Sequence, residues 1–130
     1  MNFDKLLPQI LDLAALDKTE LDAVALATAK LSFYDWLVVS CAGSKEPLAN
    51  IMRDFIASEG GVNIATVTGA TQKYPARAAA LVNGAISHAL DYDDTHFAYV
   101  GHPSVAIFPA ALAAAEEVGA SAGDVCQAFL

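Results

Sequence analysis

The sequence predicts an all-α helical bundle, and three observations carry that expectation. Leu6, Leu7, Ile10, Leu13 and Ala14 recur at helical spacing. Glycine and proline fall where helices stop and start, at Gly43, Pro47, Gly60, Gly61, Pro75 and Pro103. One short β-branched stretch, between Val62 and Val67, favours extended backbone.

Element by element, Pro8 kinks the first helical segment or delays its start, because its ring removes a backbone donor. Asp17 or Thr19 then caps a second helix that runs to about Ala42 and stops at Gly43, a natural C′ residue. Its later half, "LSFYDWLVVSCA", is apolar almost all round, which predicts a central helix with Asp35 as a buried, satisfied carboxylate. Ser44 and Pro47 open a third helix that Gly60 and Gly61 close. The extended segment follows, then the polar loop "TGATQKY" and a fourth helix, "PARAAALVNGAISHAL", whose first turn suits Pro75. A further helix follows Pro103, and a last one starts near Ser121 or Asp124, shortly before the sequence stops at Leu130. The expected domain is residues 1–130, a partial helical domain cut mid-helix, with the rest of the fold elsewhere.

A chain of 130 residues has the size of one domain. Its 55% apolar content and mean hydropathy of +0.42 point to helices buried on several sides, or to a face meant for a partner. A net charge of −8 with only seven Lys and Arg argues against a nucleic-acid partner, which needs a basic face, but leaves anionic small molecules open because a few local donors can outweigh a distant negative surface. Cys41 and Cys126 lack metal-ligand spacing and read as buried thiols of a reducing, cytoplasmic compartment, or the mitochondrial matrix in a eukaryote. The start "MNFDKLLPQI" has no secretory pattern. The most apolar run carries Lys30 and Asp35, so no membrane span is expected.

The chemistry gathers in residues 83–104, "NGAISHALDYDDTHFAYVGHPS". Asn83 and Ser87 lie one helical turn apart, and Gly84 beside them admits a close neighbour. Asn83 reads as a buried clamp between helices, and His88 as a helix-end residue that meets the negative dipole end. Asp91, Asp93 and Asp94 crowd three carboxylates into four residues, an arrangement able to supply an acid and a base. Thr95 adds a hydroxyl for a substrate carboxylate. Pro103 holds His102 extended and starts a helix at Ser104, whose free N–H groups favour an anion. His96 is a loop residue, and Lys73 and Arg77 are the nearest cations, surface residues with an outside role in steering an anion.

A metal site is one reading, since His88, Asp91, Asp93, Asp94 and His102 are all ligand types. No HExxH or Cys-rich spacing occurs, and Phe97 and Ala98 break a DDxxD pattern, so no metal is expected. "DYDDT" also fits the DxDDT signature of terpene cyclases that protonate an alkene. Those enzymes line their cavities with aromatics, and this chain has 8% aromatics and "GHPS" instead.

Taken in order, "AALVNGAISHALDYDDT" and "GHPSVAIFPAALAAAEEVGAS" closely resemble the MmgE/PrpD family, which includes 2-methylcitrate dehydratases, cis-aconitate decarboxylases and iminodisuccinate epimerases. The likeness extends back to "AKLSFYDWLVVSCAGS". The resemblance implies the N-terminal part of a helical domain, joined in longer relatives to an α+β lid domain, usually in a homodimer and without a redox or iron–sulfur cofactor. It places Asp91, Thr95 and His102 along the pocket, with Asp93 and Asp94 close behind; the reading of the residues themselves puts Asp91 and His102 in proton transfer, Thr95 and Ser104 at a substrate carboxylate, and Asn83 and His88 in support. Six residues separate Thr95 from His102, a spacing that varies among relatives and bears on substrate preference. The resemblance also implies further active-site residues, a lysine and a histidine among them, beyond Leu130, so the chain alone is expected to be inactive. The substrate class is a small polycarboxylate; dehydration, decarboxylation and epimerisation stay open. A non-catalytic helical piece that pairs with another subunit is the alternative of a different class.

Overall fold

The computed structural model describes residues 3–98 and 100–130, without the side chains of Phe3 and Lys18. The reading of the chain start as non-secretory therefore rests partly on Met1 and Asn2, and that of the "THFAYVG" loop on Tyr99, outside the described residues.

Helices dominate, as the spacing predicts. In chain order they are α1 (Phe3–Ala14), α2 (Ala23–Gly43), α3 (Pro47–Ile56), α4 (Ala76–Ser87), α5 (Ser104–Val118) and α6 (Ala122–Ala128). Their ends follow local chemistry. Asp17 caps only a 3₁₀ turn, Lys18–Glu20, through a reciprocal box with Glu20. Asp22 is the cap of α2, its carboxylate accepting from the N–H groups of Val24 and Ala25. Pro47 occupies the first turn of α3, while Ser44 belongs to the end of α2 and donates its hydroxyl to the Cys41 carbonyl. α3 ends at Ile56, before Gly60. Pro75 precedes α4, and Ser121 with Asp124 forms a reciprocal box at α6.

Between α3 and α4 the expected single extended segment is a small antiparallel hairpin. β1 (Ala65–Thr66) pairs with β2 (Lys73–Tyr74), with Ala65 opposite Tyr74 and Thr66 opposite Lys73. Two-residue strands leave no alternation to read in the polar loop "TGATQKY", which hid the second strand.

α4 is the centre of the bundle, packed on α2, α3, α5 and the hairpin. One apolar cluster joins Ile56 of α3, Val67 and Tyr74 of the hairpin region, and Val82 and Ile86 of α4. A second gathers Trp36 of α2, Phe108 of α5 and Val125 of α6, with Phe33 and Phe129 at its edge. There Phe108 stacks on Phe129 at 4.2 Å and lies 5.1 Å from Phe33.

Two glycines set the helix spacing. A Cβ on Gly43 would collide with the Ile86 carbonyl, so α2 can cross α4 only with hydrogen at that position. A Cβ on Gly84 would sit 3.1 Å from the Val105 carbonyl of α5. That carbonyl also lacks its usual helical donor, because residue 109 is a proline inside α5. Asn83 works as a buried clamp, but between a helix and the hairpin: it accepts from the Thr68 N–H at 2.9 Å and donates to the Thr66 carbonyl at 2.8 Å.

Two expectations about burial need correction. Asp35 is exposed, as are Leu31, Tyr34 and Val38 beside it, so α2 lies at an edge of this bundle with Trp36, Val39, Ser40 and Gly43 facing inward. An all-round apolar helix carries no phase to say which side is covered. Cys41 is exposed too, whereas Cys126 is buried, and burial pushes its thiol up despite the Lys30 charge nearby. By length and composition α2 is apolar enough to cross a membrane; in this fold its inward side packs on α4, α5 and α6.

Candidate functional site

The α4–α5 connection carries the site. α4 ends at His88, which has the flattened backbone of a C-cap. The chain turns at Asp91, whose φ of +54° places it in the left-handed region, one that Asp and Asn enter more readily than other non-glycine residues. It then runs through Asp93 and Asp94, makes a small loop closed by the His96–Gly101 bridge, and returns through His102 to α5. Both ends of this excursion meet at the bundle surface, so His88 and His102 face each other with ring centroids 4.9 Å apart.

Of the three carboxylates, the middle one is the buried one. Asp93 is 5% exposed and lies between the two imidazoles. Its Oδ1 stands 3.0 Å from His88 Nδ1, and its Oδ2 stands 3.2 Å from His102 Nδ1. The His102 Nδ1 also lies 3.3 Å from the Asp93 carbonyl. An ionised carboxylate only accepts, so both Nδ1 atoms are donors toward Asp93, and each ring presents Nε2 on its other side. Both Nε2 atoms turn toward Asp91, whose Oδ1 is 3.9 Å from that of His88 and 3.7 Å from that of His102. The Asp91 side chain is 77% exposed and His102 27%, so the Nε2 side is open to solvent while the Nδ1 side is sealed. The arrangement is a buried carboxylate that fixes two histidines, which in turn offer two basic nitrogens beside an exposed acid.

Asp94 has a different job. Its carboxylate accepts the Ser104 N–H at 3.2 Å and the Ser104 hydroxyl at 2.6 Å. Ser104 is fully buried. The anion-favouring start of α5 is thus occupied by an internal carboxylate. Thr95 is exposed beside it, with its hydroxyl in no hydrogen bond among the described residues. Asp94 also borders a shallow groove with Leu31, Tyr34, Asp35, Val38 and Tyr92.

Asn83 and Ser87 stay behind the cluster. Asn83 holds the hairpin, and Ser87 donates to the Gly84 carbonyl at 3.1 Å. Lys73 and Arg77 are engaged elsewhere, with Glu116 at 2.9 Å and Glu59 at 2.7 Å. His96 lies in the bridge-closed loop.

Sequence reading grouped His88 with Asp93 behind the site and put His102 in front. The fold brings both histidines onto Asp93, His88 through a hydrogen bond with its carboxylate and His102 through its backbone carbonyl and a 3.2 Å contact with Oδ2. Nothing in "DYDD" distinguishes its carboxylates, and the 13 residues between His88 and His102 match no ligand spacing, so only the folded turn brings them together. One donor atom from each of His88, Asp91, Asp93 and His102 lies within 4.8 Å of the other three.

A search of curated proteins finds no match to this chain. Compared with models of known families, residues 13–130 match the MmgE/PrpD N-terminal domain, a stretch that includes the DYDDT turn, the HPS histidine and every helix from α2 to α6. With nearly the whole chain inside that match, the protein belongs to the MmgE/PrpD family and carries its N-terminal domain.

Proposed function

We propose that the protein contributes the proton-handling part of a lyase site for a small polycarboxylate, and that the reaction is a 2-methylcitrate dehydratase-like elimination. Family membership supports lyase chemistry of this kind. The observation that carries the reading is the pair of Nε2 atoms beside Asp91, with the opposite nitrogens held by buried Asp93. His102 Nε2 takes the proton from carbon next to a substrate carboxylate. The electron pair forms the carbon–carbon double bond, the carbon–oxygen bond breaks, and Asp91 in its acid form protonates the departing hydroxyl to water. Each well-placed acid or base contributes ~10²–10⁴-fold. Side chains alone carry these steps.

Because Asp94 occupies the start of α5, Thr95 is the group of this domain best placed to hold a substrate carboxylate. The remaining pocket wall comes from the rest of the family fold, an α+β lid domain and a second subunit.

The test is to offer 2-methylcitrate to the full-length protein and follow alkene formation by ultraviolet absorbance. A rise that survives a chelator is the expected result. Silence with 2-methylcitrate but turnover of cis-aconitate or iminodisuccinate would transfer the same residues to decarboxylation or epimerisation. Silence with all three would leave the domain a helical assembly piece.

A further inference from the structure

One buried acceptor in the cluster is left half-used. Asp93 Oδ1 takes the His88 Nδ1–H at 3.0 Å, whereas Oδ2 of the same buried carboxylate has no aligned hydrogen bond among the described residues. A buried carboxylate oxygen without a donor costs stability and calls for a reason. A donor stands within reach. His102 Nδ1 lies 3.2 Å from Oδ2, but its hydrogen bond is aimed at the Asp93 carbonyl, 3.3 Å away.

The two acceptors on Asp93 have separate effects on His102. A carbonyl only accepts, so it alone keeps a proton on Nδ1 and leaves Nε2 bare. The carboxylate adds a negative charge, which counts most once the ring is a cation. When Nε2 takes the substrate proton, the Nδ1 proton stays on the ring and Asp93 stays ionised. A loose contact then becomes a charge-assisted pair. That gain arises in the transition state and not before it, which is the kind of interaction that raises kcat.

For this to work, the Asp93 carboxylate must stay aimed at His102. Among the described residues its one aligned side-chain hydrogen bond is with His88. His88 is itself placed by the fold, as the C-cap of α4, with its ring 4.9 Å from that of His102. Its Nε2 stands 3.9 Å from Asp91 Oδ1, beyond hydrogen-bond distance.

We infer that His88 is a positioning residue: it braces the Asp93 carboxylate so that Oδ2 stabilises the imidazolium formed at His102, and its own Nε2 takes no part in the chemistry. The effect on turnover rests on the lyase reading, while the brace itself can be observed with no substrate present.

The test compares two replacements of His88, whose side chain reaches solvent, so that neither opens the core. Asparagine offers an amide N–H where Nδ1–H was and lacks Nε2; alanine removes both. In the full-length protein, His88→Ala should lower kcat on 2-methylcitrate ~10–100-fold, as the loss of one charge-assisted hydrogen bond does, with KM little changed. His88→Asn should recover most of that loss. Circular dichroism establishes the folding of each variant. The substrate-free readout is the His102 Nδ1 proton, followed by nuclear magnetic resonance with ¹⁵N-labelled histidines and assigned by its absence from His102→Gln. At mildly acidic pH it should stand far downfield in the parent and in His88→Asn, and move upfield in His88→Ala. Equal losses of turnover in the two variants would assign the chemistry to His88 Nε2 and overturn the brace. Parent-like turnover in His88→Ala, or a downfield proton that His88→Ala leaves in place, would overturn it too. A parent inactive on 2-methylcitrate, cis-aconitate and iminodisuccinate alike would sink the lyase reading, and the resonance would then decide the brace alone.

Discussion

At the scale of single residues, Asp91 holds the most exposed acid of the cluster on a left-handed backbone. Asparagine tolerates that conformation at least as well as aspartate. Asp91→Asn should therefore keep the fold while removing the acid. Turnover is expected to fall ~10²–10⁴-fold, with the melting temperature little changed. Activity equal to the parent in that variant would take Asp91 out of the mechanism. Asp91→Leu is a harsher comparison, because it adds backbone strain to the chemical loss. The sequence made Asp91, Asp93 and Asp94 visible as a group but not their division of labour. One carboxylate is buried between imidazoles, one caps a helix and one faces solvent. Identical side chains at adjacent positions differ here only through the turn that folds them.

At the scale of elements, the helix ends were legible because caps are local. Pro47, Pro75 and the Ser121–Asp124 pair each act within a turn of their own position, whereas α2 starts at Asp22 rather than Asp17 or Thr19, and Gly43 is its last helical residue rather than a left-handed C′. The hairpin was not legible, since two-residue strands have no period, and neither was the exposed side of α2, whose apolar residues run all round. The crossing of α2 over α4 gives a sharp test. Gly43→Ala puts a methyl group into the Ile86 carbonyl, a backbone atom that cannot rotate away. Overpacking of this kind costs roughly 1–3 kcal/mol. Chemical denaturation should show at least that loss, although alanine is the better helix former by about 1 kcal/mol. A variant as stable as the parent would mean that the two helices slide apart freely.

At the scale of the whole molecule, distant pieces are joined by Glu116 on α5. Its carboxylate accepts the Thr66 N–H and hydroxyl, both at 2.6 Å, and pairs with Lys73 at 2.9 Å. Burial alone would raise this carboxyl, but the Thr66 hydrogen bonds and the Lys73 charge outweigh it and hold the group below its ordinary value of 4.5. The unfolded chain then binds the proton more readily, so stability from this link is full above about pH 4.5 and drains away as pH falls through the lower folded value. Melting temperatures measured from neutral pH downward should drop less steeply in Glu116→Gln than in the parent. Parallel curves would show that Glu116 does not govern the acid limb. The high hydropathy also finds its place at this scale. Leu31, Tyr34 and Val38 leave an apolar stripe outward on α2, and Leu7, Ile10, Leu11 and Leu13 do so on α1.

The capping of α5 by Asp94 has one more consequence. A carboxylate tethered ten residues from Ser104 behaves as a resident competitor, present at an effective concentration on the order of millimolar or above. A free carboxylate at lower concentration cannot displace it, so the helix start stays shut to dilute acids. Replacing the tether, as in Asp94→Ala, should unlock it. Citrate would then raise the melting temperature of the variant more than that of the parent, and equal shifts would mean that the start of α5 does not take up free carboxylate.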